Sequence, residues 1–297
     1  MADQPDVSVV VVTLNGREWV ERCLDSIAGA DELIVVDHGS TDGTPALVRE
    51  RFPRARLIEQ ENRGMGGGNN AGMRVAAGRY FLLLNSDAWI LDEGLARLVE
   101  FADSRPDAAV IGPRLLNTDG TLQRSVRAFP TLWRLATEYL FLRKLAPRSD
   151  FLNAFYGGSF AHDRVWETDW LFGASLLVRR EAADAVGLFD ERFFMFSEEV
   201  DWCYRFRAAG WNVLFFPGAE AVHVGGATHG GRLYRENLRG HLRFFAKHYG
   251  LRQAERARRL LLFGVRLRAR LFRGERRQTY ADAARFLASG SASSLVE

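Results

Sequence analysis

The sequence predicts an α/β fold built on a mostly parallel sheet covered by helices. Three observations carry this expectation. Short apolar runs rich in Val, Ile and Leu end abruptly in polar residues, segments with apolar residues at helical spacing follow them, and the connections between are short. The clearest run is residues 80–84, Tyr-Phe-Leu-Leu-Leu, which has no Gly or Pro and suits a strand buried on both faces. It stops at Asn85-Ser86-Asp87, just past the carboxyl end, where open α/β sheets place their ligands.

Taken in order, residues 7–14 are β-branched and read as a first strand. After Asn15-Gly16, a helix is marked by Trp19, Val20, Cys23, Leu24 and Ile27. Residues 32–36 form a second strand closed by Asp37-His38-Gly39-Ser40-Thr41-Asp42-Gly43-Thr44, and the next helix ends before Pro53. A third strand, 55–59, leads into the glycine-rich stretch 61–70, read as a loop opening a helix that runs through Ala77. A helix at 93–102 and a strand at 109–112 follow. Asn117-Thr118-Asp119-Gly120 reads as a hairpin turn. Residues 114–168 otherwise show weak periodicity. Regularity returns with 170–179, a helix at 181–186, a strand at 213–216 and a further segment at 219–223.

With 297 residues, 47% of them hydrophobic, the chain can bury a large core, so disorder is not the expectation. Cys23 and Cys203 both fall in helical segments and read as buried thiols of a reducing compartment, and no zinc spacing occurs. There is no signal-peptide pattern and no apolar run of about 18 residues, which gives a cytoplasmic, non-spanning protein as the expectation. Charge is unevenly spread. Residues 232–297 hold 16 of the 40 Lys+Arg but 5 of the 37 Asp+Glu. The expected organisation is therefore a body over 1–231, with a ligand-binding part at about 1–112 and a second part at about 113–231, and a basic helical extension over 232–297.

The polar strand ends bring together an inventory for one anionic ligand. Thr13 and Asn15 follow the first strand, Asp37 the second, Arg63 and Gly64 the third, and Asn85, Ser86 and Asp87 the fourth. Asp37 can accept from a base or ribose, while Arg63 and the N–H groups of the glycine run, which ends at Asn69, can meet phosphate oxygens. A nucleotide fits this set. A dinucleotide-binding unit would carry its glycine fingerprint after the first strand, where only Gly16 stands, and no Walker-type Gly-Lys-Ser/Thr is present.

Several stretches then carry a resemblance. They are Val-Val-Thr-Leu-Asn (11–15), Val-Val-Asp-His-Gly-Ser-Thr-Asp-Gly-Thr (35–44), Glu-Asn-Arg-Gly-Met-Gly-Gly-Gly-Asn-Asn-Ala-Gly (61–72), Leu-Leu-Asn-Ser-Asp-Ala (83–88), Phe-Gly-Ala-Ser-Leu-Leu-Val-Arg-Arg (172–180), the stretch 189–205 with Glu198-Glu199, and Val-His-Val-Gly-Gly (222–226). In this order they resemble family 2 glycosyltransferases, in particular the rhamnosyltransferase-like branch. The resemblance implies a GT-A fold and an inverting transfer of a sugar, rhamnose among the candidates, from a nucleotide-diphosphate donor to a polysaccharide or glycolipid.

Carried over residue by residue, it implies that Asp37 contacts the base, that Asp87 holds Mg²⁺ or Mn²⁺ with His223 as a further metal or phosphate contact, and that Glu199, with Glu198 beside it, is the general base. Two positions depart from the family pattern. Asn85 replaces the first Asp of Asp-x-Asp, which weakens hard-cation binding, and Glu-Glu replaces Glu-Asp or Asp-Asp. The alternatives from other classes are a nucleotidyltransferase forming a sugar nucleotide and a catalytically silent sugar-nucleotide-binding protein.

In the extension, Leu260, Phe263, Leu267 and Leu271 share one helical face, with Arg258, Arg259, Arg266 and Arg273 towards the other. Such a helix can pack on the body, lie on anionic lipid over about 250–277, or form a homodimer contact. Nucleic acid is not expected, because no recognition module accompanies the charge. The resemblance favours lipid, since acceptors of this branch are often polyprenyl-linked glycans. It implies a peripheral protein at the inner face of the cell membrane.

Overall fold

The computed structural model describes residues 6–225 and 231–296. Five valines in seven residues make β1 (Val7–Thr13) a strand buried at every position. It lies parallel to β2 (Glu32–Asp37) on one side and β4 (Tyr80–Asn85) on the other, and β3 (Arg56–Glu59) extends the row beyond β2. Helices α1 (Arg17–Asp25), α2 (Thr44–Arg51) and α3 (Gly64–Val75) make the crossovers. Side chains alternate across the sheet. Val10, Val12, Phe81 and Leu83 belong to one apolar core, and Val9, Val11, Leu82 and Leu84 to the other.

The chain continues through β5 (Ala88–Ile90), α4 (Gly94–Ser104) and β6 (Ala108–Leu116). The weakly periodic region holds only short elements: β7 (Leu122–Gln123), β8 (Val126–Arg127), α5 (Leu132–Tyr139), α6 (Asp150–Asn153) and β9 (Trp166–Glu167). The expected hairpin turn is present, with the Gly120 N–H donating to the Asn117 carbonyl at 2.9 Å and β7 returning along β6. Residues 170–179 are two strands. β10 (Trp170–Leu171) pairs with β8 in a separate ribbon, and β11 (Ser175–Arg179) enters the main sheet. Helices α7 (Arg180–Val186) and α8 (Glu198–Ala208) lead to β12 (Asn212–His223). The two segments read separately at 213–216 and 219–223 are this one strand, whose register on β6 shifts between Phe216 and Glu220, around Pro217-Gly218.

The sheet order is β3-β2-β1-β4-β11-β6-β12-β5, with β11 antiparallel between β4 and β6 and β5 antiparallel at the far edge. The other six strands of this row point the same way. One sheet therefore draws strands from both sides of residue 112.

Two expectations need correction. The glycine-rich stretch is the start of α3 itself and not a loop before it. Glycine in a helix interior costs about 1 kcal/mol relative to Ala, and packing offsets this here. A Cβ on Gly64, whose φ is +77°, would collide with the Phe194 carbonyl oxygen, and one on Gly72 would collide with Val10. The first N–H groups expected to meet phosphate already have partners, because Gly64 N–H donates to Asn62 Oδ1 (2.9 Å) and Met65 N–H to the Phe194 carbonyl (3.0 Å).

The second correction concerns the extension, which comprises α9 (Gly231–Tyr249), α10 (Leu251–Leu271), α11 (Gly274–Ala288) and α12 (Ala292–Val296). α10 buries Ala254, Ala257, Leu261, Val265 and Arg268 as it packs on α9 and α11 of the extension and on α5 of the body, whereas Phe263 and Leu271, read as members of an apolar stripe, are each 62% exposed. Buried Arg268 is satisfied by the Glu138 carbonyl oxygen (2.7 Å) and carboxylate (3.3 Å), which fastens α10 to the end of α5.

Candidate active site

The carboxyl ends of the parallel strands are level because their registers are: Thr13 stands opposite Asp37, and Val12 opposite Asn85. A cleft of about 790 Å³ opens there. Of the residues singled out in the sequence, Thr13, Gly64, Asn85, Ser86, Asp87 and His223 line it, whereas Asn15, Asp37, Arg63, Asn69, Glu198 and Glu199 do not. Asn15 instead ties two loops together, its Oδ1 accepting from Thr41 N–H (2.8 Å) and its own N–H donating to Ser40 Oγ (2.7 Å). Arg63 is exposed, and Asn69 is buried within α3. Asp37 is 1% exposed and caps its own turn, with Oδ2 accepting from the N–H groups of Gly39 (2.9 Å) and Ser40 (2.8 Å). Its Oδ1 and the Thr13 hydroxyl are buried without a hydrogen-bond partner, an uncommon state that suits groups awaiting a ligand.

Strand pairing brings His223 to Asp87. β12 runs antiparallel to β5, which places His223 opposite Ala88. Val224 N–H then donates to the Asp87 carbonyl (3.0 Å), and Gly225 N–H to Asp87 Oδ2 (3.2 Å). Gly226, the last residue of the resemblance, lies outside the described residues. His223 Nε2 sits 3.4 Å from Asp87 Oδ1 and 3.4 Å from Asn85 Nδ2. Its Nδ1 is 2.8 Å from Gln123 Oε1 and donates there, which leaves Nε2 facing Asp87 as a donor when the ring carries both protons and as a lone pair when it carries one. Burial acts to raise the Asp87 carboxyl, but the hydrogen bond and charge of His223 and the Gly225 N–H outweigh it and hold the group below its ordinary value.

Glu199 and Glu198 open α8, after Phe196 and Ser197 in left-handed conformations (φ +67° and +70°). Glu199 lines a second, smaller cavity of about 220 Å³, which shares the Phe172 and Phe196 side chains with the main cleft. Phe172 also packs on the His223 ring at 5.5 Å. Both glutamates are pushed above the usual carboxylate range, burial being the main cause, and each has a buried Oε2 without a partner.

Sequence reasoning missed Gln123, His38 and Arg127 as members of the cleft. Gln123 and Arg127 lie on two-residue strands with no periodic signal. His38, which contacts Gln60 Nε2 at 3.1 Å, was in plain view beside Asp37.

Residues 8–166 match the glycosyl transferase family 2 model. The chain belongs to that family. This glycosyltransferase is 32% identical over 242 residues to an N-acetylglucosaminyl-diphospho-decaprenol L-rhamnosyltransferase of Mycobacterium tuberculosis, covering 72% of the chain and 75% of the relative. It is also 24% identical over 265 residues to rhamnosyltransferase WbbL of Escherichia coli K12, covering 81% and 93%. Among solved structures, GalNAc-T7 with UDP, GalNAc and Mn²⁺ superposes with a TM-score of 0.55 at 14% identity, covering 83% of this chain and 51% of that one. Staphylococcus aureus TarS superposes with 0.53 at 17% identity, covering 92% and 44%. The chain thus spans about half the length of those two structures, and the likeness shows the GT-A fold. A rhamnosyltransferase-like, hexosyltransferase-type enzyme is what these comparisons support, and the sugar-nucleotide-forming alternative is left without support.

Proposed function

We propose that the protein is an inverting glycosyltransferase that moves a sugar, rhamnose by analogy with its relatives, from a nucleoside-diphosphate donor to a hydroxyl of a polyprenyl-linked glycan. The observation that carries this reading is the pair of cavities separated by Phe172 and Phe196, with Asp87 and His223 on one side and Glu199 on the other. An in-line displacement wants this division. The acceptor oxygen bonds to the anomeric carbon as the carbon–phosphate oxygen bond breaks, the electron pair leaves with the diphosphate, and the acceptor proton passes to Glu199.

On the donor side, the unpartnered Thr13 hydroxyl lines the cleft where the nucleoside would sit, and Asp37, with its unpartnered Oδ1, stands beside it at the neighbouring strand end. Among the described residues no group of three or more His, Cys, Asp or Glu converges on a metal position. The Asp87–His223 pair nonetheless fits a Mg²⁺ or Mn²⁺ ion completed by substrate phosphates and water, because Gln123 leaves Nε2 free to coordinate. Such an ion neutralises charge on the leaving diphosphate. The chain's own contribution is to fix Asp87 through Gly225 N–H and to hold His223 by Gln123 and Phe172.

The test offers nucleoside-diphosphate rhamnoses together with synthetic N-acetylglucosaminyl-diphospho-farnesol and reads the product by NMR. A new glycosidic bond of inverted configuration is expected. Retained configuration, or donor hydrolysis alone in the presence of acceptor, rejects the proposal.

Membrane contact belongs to the same reading. The outward face of α10 carries Arg252, Arg256, Arg259, Arg266 and Arg270 around exposed Phe263, and no helix among the described residues is long and apolar enough to cross a membrane. Vesicles containing anionic lipid should bind the protein in a salt-sensitive way, with about 1 kcal/mol lost per Arg→Gln substitution on this face. Equal binding to neutral and anionic vesicles refutes the contact.

A further inference from the structure

The cavity beside Glu199 is not closed by the catalytic body alone. Trp170, Phe172 and Tyr156 form one side, while Tyr234, Asn237 and His241 of α9 and Arg268 of α10 form another. We propose that the helical extension completes the acceptor subsite, with Tyr234, Asn237 and His241 recognising the hydroxyl groups of an acceptor sugar ring stacked on the aromatic side. This rests on the reading of Glu199 as the base.

The chemistry of the lining selects that ligand. A pyranose has apolar faces that suit aromatic planes and an equator of hydroxyls that must find partners once water is excluded. The cavity supplies both. His241 is 9% exposed, and its Nδ1 has no hydrogen-bond partner. Its ring is wedged near Tyr139 (6.2 Å) and Phe155 (6.5 Å), and burial depresses it to about 4, so it meets a ligand as a neutral group. The Tyr234 hydroxyl lies beside the Arg268 guanidinium, and buried Glu199 Oε2 has no partner. Buried polar atoms left without partners are uncommon, and here they gather around one cavity.

The extension is also seated directly on the turn that launches the base. A Cβ on Gly240 would stand 2.7 Å from the Phe196 carbonyl oxygen and 2.8 Å from Ser197 Oγ, so α9 can lie this close to the Phe196–Ser197 turn only with glycine there. Likewise, a Cβ on Gly264 of α10 would stand 2.8 Å from Tyr139 Cβ. Helices held this tightly against the catalytic body can present side chains with the accuracy that sugar recognition needs.

The experiment uses the full chain and measures KM and kcat for N-acetylglucosaminyl-diphospho-farnesol, alongside donor KM, in Tyr234→Phe and Asn237→Ala. Loss of one hydrogen bond should raise acceptor KM roughly three- to tenfold with donor KM unmoved. Wild-type enzyme is assayed in parallel against acceptors lacking single sugar hydroxyls. The penalty for one deoxy acceptor should shrink in the variant that has lost its partner, a readout that a general loss of folding does not produce. Acceptor KM within twofold of wild type in both variants, or deoxy penalties identical in wild type and variants, overturns the subsite. If Glu199→Gln has meanwhile abolished turnover, only the subsite falls. Full turnover by Glu199→Gln removes the base assignment on which the subsite rests.

Discussion

Asp87 and Glu199 stand on opposite sides of one aromatic wall, and their surroundings treat the same functional group in opposite ways. Asp87 lies at the level of the strand ends, where His223 and Gly225 N–H overcome the effect of burial and keep it ionised. Glu199 lies in a lining of aromatic residues with a second glutamate beside it, and burial pushes it towards the protonated form. The contrast teaches which chemistry each side can do. A carboxylate held down is a permanent negative charge, fit to anchor a cation and useless for taking a proton near neutral pH, whereas one pushed up is basic enough to take a proton from an approaching hydroxyl.

The contrast is broken most directly at Glu199. Glu199→Gln keeps the size but removes the basic oxygen, and kcat should fall by about 10² or more while donor affinity is unchanged. Glu198→Gln should be milder, and a reversed ranking would move the base to Glu198. On the other side, Asp87→Ala should weaken donor binding and make the remainder indifferent to Mn²⁺. Gln123→Leu should cost about tenfold in metal affinity by releasing the His223 tautomer. Isothermal titration of donor with and without Mn²⁺ reads both, and turnover untouched by Asp87→Ala and by chelator refutes the metal role.

The smallest effect is on pH dependence. A base must be deprotonated, so a raised Glu199 loses activity as pH falls through a value above the ordinary carboxylate range, while Asp87 stays ionised throughout. Arg127 acts against burial to lower Glu199, so Arg127→Gln should move the acid limb of kcat further up. An unmoved limb would show that Arg127 does not reach the base.

What the sequence revealed follows the same wall. Thr13, Asn85, Ser86 and Asp87 each sit at or just beyond the end of a locally patterned strand, and such ends converge whenever parallel strands share a register. His223 was legible only through the resemblance, because β12 meets β5 across more than a hundred residues of chain. The side that holds Glu199 is assembled from distant pieces: Trp170 Nε1 donates to the Ala128 carbonyl (3.0 Å), and Thr168 Oγ1 to that of Arg127 (2.8 Å). No short window contains both partners. The face of α10 was misjudged for a related reason: small Ala254 and Ala257 give a weak apolar signal, and Arg268, which the two-faced reading left out, is the buried member that holds Glu138.

The glycine-rich helix has a consequence for how the chain reaches this state. Four of the first five residues of α3 are glycine, so the segment has almost no helical tendency of its own and cannot act as an early local nucleus. Its hydrogen bonds to Phe189 through Asn70 (3.0 Å each way) and to Phe194 through Met65 (3.0 Å) span more than a hundred residues. This crossover is therefore expected to form only after the segment ahead of α8 has been synthesised and has docked. Contacts of such sequence separation slow folding. An N-terminal fragment ending near residue 112 should leave α3 unprotected in hydrogen exchange until the rest of the chain is supplied.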